Sequence, residues 1–157
     1  MLSLKDETEV CFWGLLIGLL NRNDVAKWAD MVIESRENVE YEIIDISLCA
    51  TKSSLSELEL KLSEIKGQAN RQLVMKTILG LCSSKYYTNL LSTEDICSIL
   101  YQWILIDSEL YSSDIGTKIV NLTDGYDLAI EGYGNLEDIS NDIKKFLDQY
   151  TEYSIEF

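Results

Sequence analysis

The chain has 157 residues, with 27 acidic side chains, 13 basic ones and no histidine, and its formal net charge is −14. The length predicts one domain over residues 1–157, and a hydrophobic content of 46% predicts a folded chain, not a disordered acidic one. The negative field repels nucleic acid and anionic membrane surfaces, so we expect neither as a partner. The absence of histidine removes the usual general base at neutral pH and the commonest metal ligand.

The cysteines are well separated along the chain and lie in apolar settings, which is typical of small buried side chains. They are Cys11, Cys49, Cys82 and Cys97. The apolar stretch 11–20 follows three acidic residues, the wrong sign for a signal peptide, and it is too short to span a bilayer. We therefore expect a cytoplasmic protein with reduced thiols.

The first predicted element is a buried helix over 11–20, in which Gly14 and Gly18 would let another helix approach closely. Asn23 is the expected N-cap of the next helix, because Asp24 follows it at the positive end of the helix dipole. The spacing of the apolar residues after Asp24 predicts an amphipathic helix with Trp28 in the core.

The segment Val39–Cys49 fits two structures. Ile44, Ile46 and Leu48 alternate with polar residues as in a strand, whereas Val39, Ile43 and Ile46 fit one helical face. No second strand-like segment lies nearby to pair with it, and an isolated strand is not stable. This argument favours a helix.

Two further helices are predicted between Cys49 and residue 86. Ser53 or Ser54 caps the first, whose apolar side holds Leu55, Leu58, Leu62 and Ile65 and which Gly67 ends. The second spans 71–82.

Residues 86–143 contain eleven acidic side chains and one base, Lys118, whereas residues 1–66 contain thirteen and seven. Ser92–Asp95 resembles a capping box and predicts a helix that reaches about Asp107, with Trp103 in the core. Glu94 and Asp95 then have a role at the start of this helix. Asp107 and Glu109 fall near its C-terminal end, where the helix dipole does not explain negative charge.

Ser113 or Asp114 begins the next predicted helix, whose apolar side includes Tyr126 and Tyr133. On the opposite side Asp124, Asp127 and Glu131 are spaced i, i+3 and i+7, and no lysine or arginine interrupts them. The stripe fits either a solvated face or a patch for a cationic partner, since like charges at this spacing repel one another. A last helix is predicted over 136–150, followed by a loose tail over 151–157.

No catalytic signature is present, because the sequence has no phosphate-binding loop, no dinucleotide fingerprint, no G-x-S-x-G motif and no histidine for a nucleophile–base pair. The segment 124–127 is only superficially like a calcium loop, since it lacks the alternating oxygen ligands. Nothing in the sequence assigns the paired carboxylates Glu137 and Asp138 to separate acid and base roles. We expect no enzymatic activity, no cofactor and no metal.

The N-terminal half resembles the small helical immunity proteins found beside bacterial polymorphic and contact-dependent inhibition toxins. The resemblance spans roughly residues 12–66 and is carried by Trp13-Gly14, by 24–30 with Ile33, and by 43–48. It implies an inhibitor that binds its own toxin domain in the cytoplasm and blocks the active site or the access of substrate. Toxins of these systems are often nucleases with cationic clefts, which an acidic surface would complement. No binding residues of the family can be carried over.

Together these observations predict an all-α fold of about eight helices packed as antiparallel pairs in one globular domain. The predicted partner is the C-terminal domain of a cognate toxin, cationic in character, and the sequence gives no signal for or against self-association. The alternative function is a helical adaptor or scaffold subunit of another complex. The candidate binding residues are Asp124, Asp127 and Glu131, with Asp107, Glu109, Glu137 and Asp138 as a second group.

Overall fold

A computed structural model describes all residues, 1–157, and contains no strand. The prediction of an all-α fold is confirmed, with nine α-helices where about eight were expected. The helices are α1 Leu4–Leu16, α2 Arg22–Ser35, α3 Tyr41–Cys49, α4 Leu55–Ser63, α5 Arg71–Tyr87, α6 Thr93–Ile106, α7 Ser108–Tyr111, α8 Asp114–Ile130 and α9 Leu136–Asp148, followed by a 3₁₀ turn, Thr151–Tyr153. None of them combines the length and the hydropathy that a membrane-spanning helix needs.

The chain divides into two compact units. The first unit comprises residues 1–74 and 155–157, and the second unit comprises residues 75–154. The predicted single domain over 1–157 stays a prediction, and the two units are described separately.

The first unit buries one apolar core between α1 and α4 and between α2 and α3. Trp28 belongs to this core, as predicted, and its Nε1–H donates a hydrogen bond of 3.0 Å to Glu7 Oε2. The segment Val39–Cys49 is helical from Tyr41, and burial of Ile43 and Ile46 with exposure of Leu48 follows helical periodicity. The preference for a helix there is confirmed.

Two predicted helix starts in the first unit are wrong, and capping chemistry explains both. Helix α1 begins at Leu4, before the apolar stretch, because Ser3 and Asp6 form a capping box. Helix α2 is capped by Asn21 and not by Asn23, because only Asn21 has an acidic residue, Asp24, at the third helical position.

The expected role of Gly14 and Gly18 in helix packing is also wrong. Helix α1 ends at Leu16, and Gly18 lies beyond it with a φ of 76°, in a turn that favours glycine. The chain folds back there, and a Cβ on Gly14 would lie 2.6 Å from Leu20 Cδ1. Gly14 therefore makes room for a side chain of the following turn, not for a second helix.

The second unit places α8 against α6 and also against α9, and α7 packs against both α6 and α8. Ser92 and Asp95 form the predicted capping box of α6. Trp103 and Tyr126 are buried as predicted. Tyr133, predicted on the buried side of α8, is 73% exposed because the helix ends before it at Ile130.

The predicted loose tail is wrong. Ser83 Oγ and Thr151 Oγ1 lie 3.0 Å apart in the second unit, and Lys76 Nζ lies 5.2 Å from the centre of the Tyr153 ring. Phe157 packs against the core of the first unit. These contacts join residues that are distant in sequence, which is why local pattern did not predict them.

Gly80 of α5 lies too close to the backbone of residues 150–154 to accommodate a side chain, so its substitution is expected to lower stability. A Cβ there would lie 2.6 Å from the Ser154 backbone nitrogen and 2.8 Å from the Tyr150 carbonyl oxygen. We expect Gly80→Ala to lower the free energy of unfolding by about 1–2 kcal/mol net, because the overpacking exceeds the helix-propensity gain of alanine. Urea denaturation followed by circular dichroism measures this.

The matched control is Ser84→Ala on the exposed side of the same helix, which should change the free energy by no more than about 0.5 kcal/mol. A Gly80→Ala variant as stable as the parent protein would show that the 150–154 segment does not pack closely on α5.

Candidate partner-binding surface

The main predicted binding residues lie on one exposed side of α8. Ser113 caps this helix by accepting a hydrogen bond of 3.0 Å at its Oγ from the Gly116 backbone N–H. The helix buries Ile119 and Tyr126. Asp124 and Asp127 are exposed, and Glu131 is exposed at the C-cap. We call Asp124, Asp127 and Glu131 the α8 acidic ridge, and the structure brings all three together as predicted from their spacing.

The α8 acidic ridge is unfavourable for the stability of its own helix. Asp127 lies in the last turn and Glu131 at the C-cap, where the negative end of the helix dipole disfavours carboxylates. No basic residue is present in that last turn. None of the three side chains makes a hydrogen bond or an ion pair within the chain. Local folding therefore gives no reason for acids at these positions.

A groove between α6 and α8 adjoins the ridge. It is lined by Glu94, Cys97, Ser98, Tyr101, Thr123, Tyr126, Asp127 and Ile130, and its volume is about 160 Å³. Asp127 belongs both to this α6–α8 groove and to the α8 acidic ridge. Tyr101 and Ile130 are 50% and 56% exposed, so the groove offers apolar surface beside its carboxylates.

The groove contains a thiol and a phenol, and both are kept protonated. Burial, and to a smaller extent the charge of Asp127, raise the pKa of the Cys97 thiol to about 12. Burial also raises the pKa of the Tyr126 phenol, together with Cys97, Glu94 and Asp127. A protonated thiol is a poor nucleophile, so the arrangement suits binding better than covalent chemistry.

The prediction that Asp107 belongs to the binding surface is wrong. Its side chain is only 3% exposed, so it is not available to a partner. Oδ2 accepts a hydrogen bond of 3.0 Å from Trp103 Nε1, and Oδ1 accepts one of 3.1 Å from the Leu110 backbone N–H. Asp107 is the N-cap of α7, a four-residue helix that the sequence did not predict. Helix capping therefore explains the acid that seemed misplaced at the end of α6.

The other residues of the second group are exposed but lie at helix starts. Glu109 is in the first turn of α7, and Glu137 and Asp138 are in the first turn of α9. Asn135 caps α9, its Oδ1 accepting hydrogen bonds from the backbone N–H groups of Glu137 and Asp138. Acids at these positions are favoured by the helix dipole, so their presence does not by itself indicate binding.

Sequence reasoning missed Glu94, Tyr101 and Ile130 as parts of the candidate surface. Glu94 was accounted for as a helix-start residue, and it also lines the groove opposite Asp127. The signal available was the spacing of Glu94, Ser98 and Tyr101, which places them on one side of α6. That α8 packs next to this side could not be read from the spacing.

The structure contains no group of three or more Cys, Asp or Glu side chains that is arranged to hold a metal ion. The comparisons with protein-family models, curated proteins and solved structures find no match to this chain. The resemblance to immunity proteins therefore stays a prediction, and so does every function that it implies.

Proposed function

We propose that this protein is a bacterial immunity protein that binds and neutralises a cognate toxin domain through the α8 acidic ridge. The observation that carries the proposal is that Asp124, Asp127 and Glu131 occupy one exposed face of α8, where they repel one another and where the helix dipole also disfavours Asp127 and Glu131. Costly charged groups without a local structural role are characteristic of functional surfaces, where stability is given up for binding.

The charge of the surface suits a cationic partner. A nuclease toxin needs a positively charged cleft for its substrate, and acids presented to such a cleft would occupy the place of phosphates. The net charge of −14 would also accelerate diffusional encounter with that partner. The proposed partner is therefore the C-terminal domain of a toxin, a nuclease, and inhibition takes place in the cytoplasm without catalysis by the immunity protein.

Apolar groups beside the ridge would supply affinity once the partners meet. Leu128, next to Asp127, is 50% exposed, and Tyr101 and Ile130 expose similar fractions in the groove. Interfaces draw most of their binding free energy from a few aromatic or aliphatic side chains, while peripheral charges mainly set the association rate. Trp103 and Tyr126 are buried and are not among these contact groups.

Co-expression tests the proposal. The neighbouring upstream gene should encode a large secreted protein, and its C-terminal domain should arrest growth of a bacterial host when expressed alone. We expect growth to recover when this protein is co-expressed, and the two chains to co-purify in equal amounts. An active toxin domain from an unrelated system is the specificity control, and its growth arrest should not be relieved. Co-purification without growth rescue, or no interaction at all, would contradict the proposal.

A helical adaptor is the second candidate function, and a feature of the first unit favours it. On α3, Tyr41, Ile44 and Leu48 are exposed at 76%, 38% and 68%, at spacings that place them on one side of the helix. An apolar helix face of this kind suits a stable protein contact. An adaptor would co-purify with a non-toxic partner and would not rescue growth.

A further inference from the structure

The size of the α6–α8 groove fits a small planar group. Its volume is about 160 Å³, and a cavity of about 150 Å³ holds a benzene molecule. A guanidinium group has fewer heavy atoms than benzene and is also flat. The groove is open to solvent along the exposed side chains of Tyr101 and Ile130, so a side chain from another protein can enter it.

The charge of the groove is of one sign. Glu94 comes from α6 and Asp127 from α8, and no lysine or arginine lines the groove. Both carboxylates contribute to raising the pKa of the same phenol, that of Tyr126, after the effect of burial and of Cys97. Their fields therefore overlap inside the groove, and a cation placed there would interact with both.

The walls distinguish one cation from another. Tyr101 presents a half-exposed ring, and Ile130 and Cys97 provide apolar surface. A guanidinium group stacks on aromatic rings, is more weakly hydrated than an ammonium group, and pairs with carboxylates through two parallel hydrogen bonds. A metal ion would need more ligands than the two carboxylates offer, and no larger ligand cluster is present.

From these observations we infer that the α6–α8 groove receives an arginine side chain of the partner protein, held by Glu94 and Asp127 against the ring of Tyr101. The inference rests on the proposed function only for the identity of the protein that carries the arginine. In that setting the arginine would be one of the cationic residues with which the toxin domain binds its substrate. The groove would then give the interface a fixed register, which the α8 acidic ridge by itself does not.

An NMR titration tests the groove without any toxin. The probe is the peptide acetyl-Gly-Arg-Gly-amide, added to the uniformly ¹⁵N-labelled full chain. We expect a dissociation constant on the order of 1–10 mM, as for a single side chain. Amide shifts should be concentrated in 94–101 and 123–130. The isosteric citrulline peptide, which lacks the charge, should give no saturable shifts, and the lysine peptide should bind about two- to fivefold more weakly than the arginine peptide.

Matched double variants locate the site. Glu94→Gln with Asp127→Asn should weaken binding of the arginine peptide at least about fivefold, because both charged acceptors are lost. Glu137→Gln with Asp138→Asn removes the same charge from two exposed side chains that do not line the groove, and it should change binding by less than about twofold, since solvent-screened charges without direct contact to the guanidinium contribute little. Tyr101→Leu should weaken the arginine peptide more than the lysine peptide.

Three outcomes would overturn the inference. They are saturable binding of the citrulline peptide, shifts spread over the whole acidic surface, and equal weakening by the two double variants. The result is separable from the proposed function: a groove that binds the arginine peptide in a protein that rescues no toxin-expressing host would leave the groove assignment standing and remove the immunity role. Growth rescue by a protein that does not bind the arginine peptide would leave the immunity role standing and remove the groove assignment.

Discussion

Replacing Asp107 by alanine is expected to lower the free energy of unfolding by about 2–4 kcal/mol, the largest effect of any acidic residue in the second unit. Two losses combine. The Trp103 Nε1–H, which donates to Asp107 Oδ2 inside a fully buried environment, would be left without an acceptor. The start of α7 would lose its cap, because Oδ1 no longer accepts from the Leu110 N–H. Urea denaturation, followed by circular dichroism, measures the change.

Two further variants separate these contributions. Asp107→Asn keeps one acceptor oxygen, but its amide group would face the other of the two donors, so a loss of roughly 1–2 kcal/mol is expected. Glu109→Ala changes the exposed acid of the same short helix and should stay within about 0.5 kcal/mol. If Asp107→Ala unfolded at the same urea concentration as Glu109→Ala, the buried hydrogen bonds would have no measurable role.

Charge reversal of the α8 acidic ridge is expected to slow binding of the toxin domain. The variant is Asp124→Lys, Asp127→Lys, Glu131→Lys, and its association rate constant at low salt should fall roughly 10- to 100-fold. The reason is that steering by opposite charges becomes repulsion. The dependence of the rate on ionic strength should also flatten or change sign. Stopped-flow measurements with the isolated toxin domain at several salt concentrations would determine both quantities.

Folding should not limit this experiment. Lysine at the C-terminal end of α8 is favoured by the helix dipole. The free energy of unfolding of the variant should therefore equal that of the parent protein or exceed it by about a few tenths of a kcal/mol. The control reverses Glu34, Glu37 and Glu40, which are exposed in the first unit and carry the same total charge. This control variant should slow association with the toxin domain much less than the ridge variant does. Unchanged affinity and salt dependence in the ridge variant would show that this face is not the binding site.

Capping and periodicity made much of the second unit predictable. Ser92 and Asp95 bond to each other's backbone N–H groups within one turn, so the start of α6 could be read directly from the sequence. The same rule, applied more strictly, would have chosen Asn21 over Asn23 for α2, because only Asn21 is followed by an acid at the required spacing. The helix α7 was missed because four residues are too few to show a period.

The candidate surface divides in the same way. The ridge of Asp124, Asp127 and Glu131 follows from the positions of these residues on one helix, and the structure places them on one exposed face as their spacing predicts. Asp107 carries an equally acidic side chain, yet it is buried against Trp103. The sequence placed Asp107 in the second group of binding candidates and could not show its burial, because burial of a side chain depends on elements that pack from elsewhere in the chain.

By itself the sequence determined the helical class, most helix starts, the burial of Trp28, Trp103 and Tyr126, and the acidic stripe of α8. These features depend on interactions within one or two helical turns, where spacing fixes geometry. Only the tertiary structure decided that Glu94 and Asp127 share a groove, and that the 150–154 segment packs against Gly80. The physical reason is that these contacts join residues far apart in the chain, and their geometry is set by how whole helices pack.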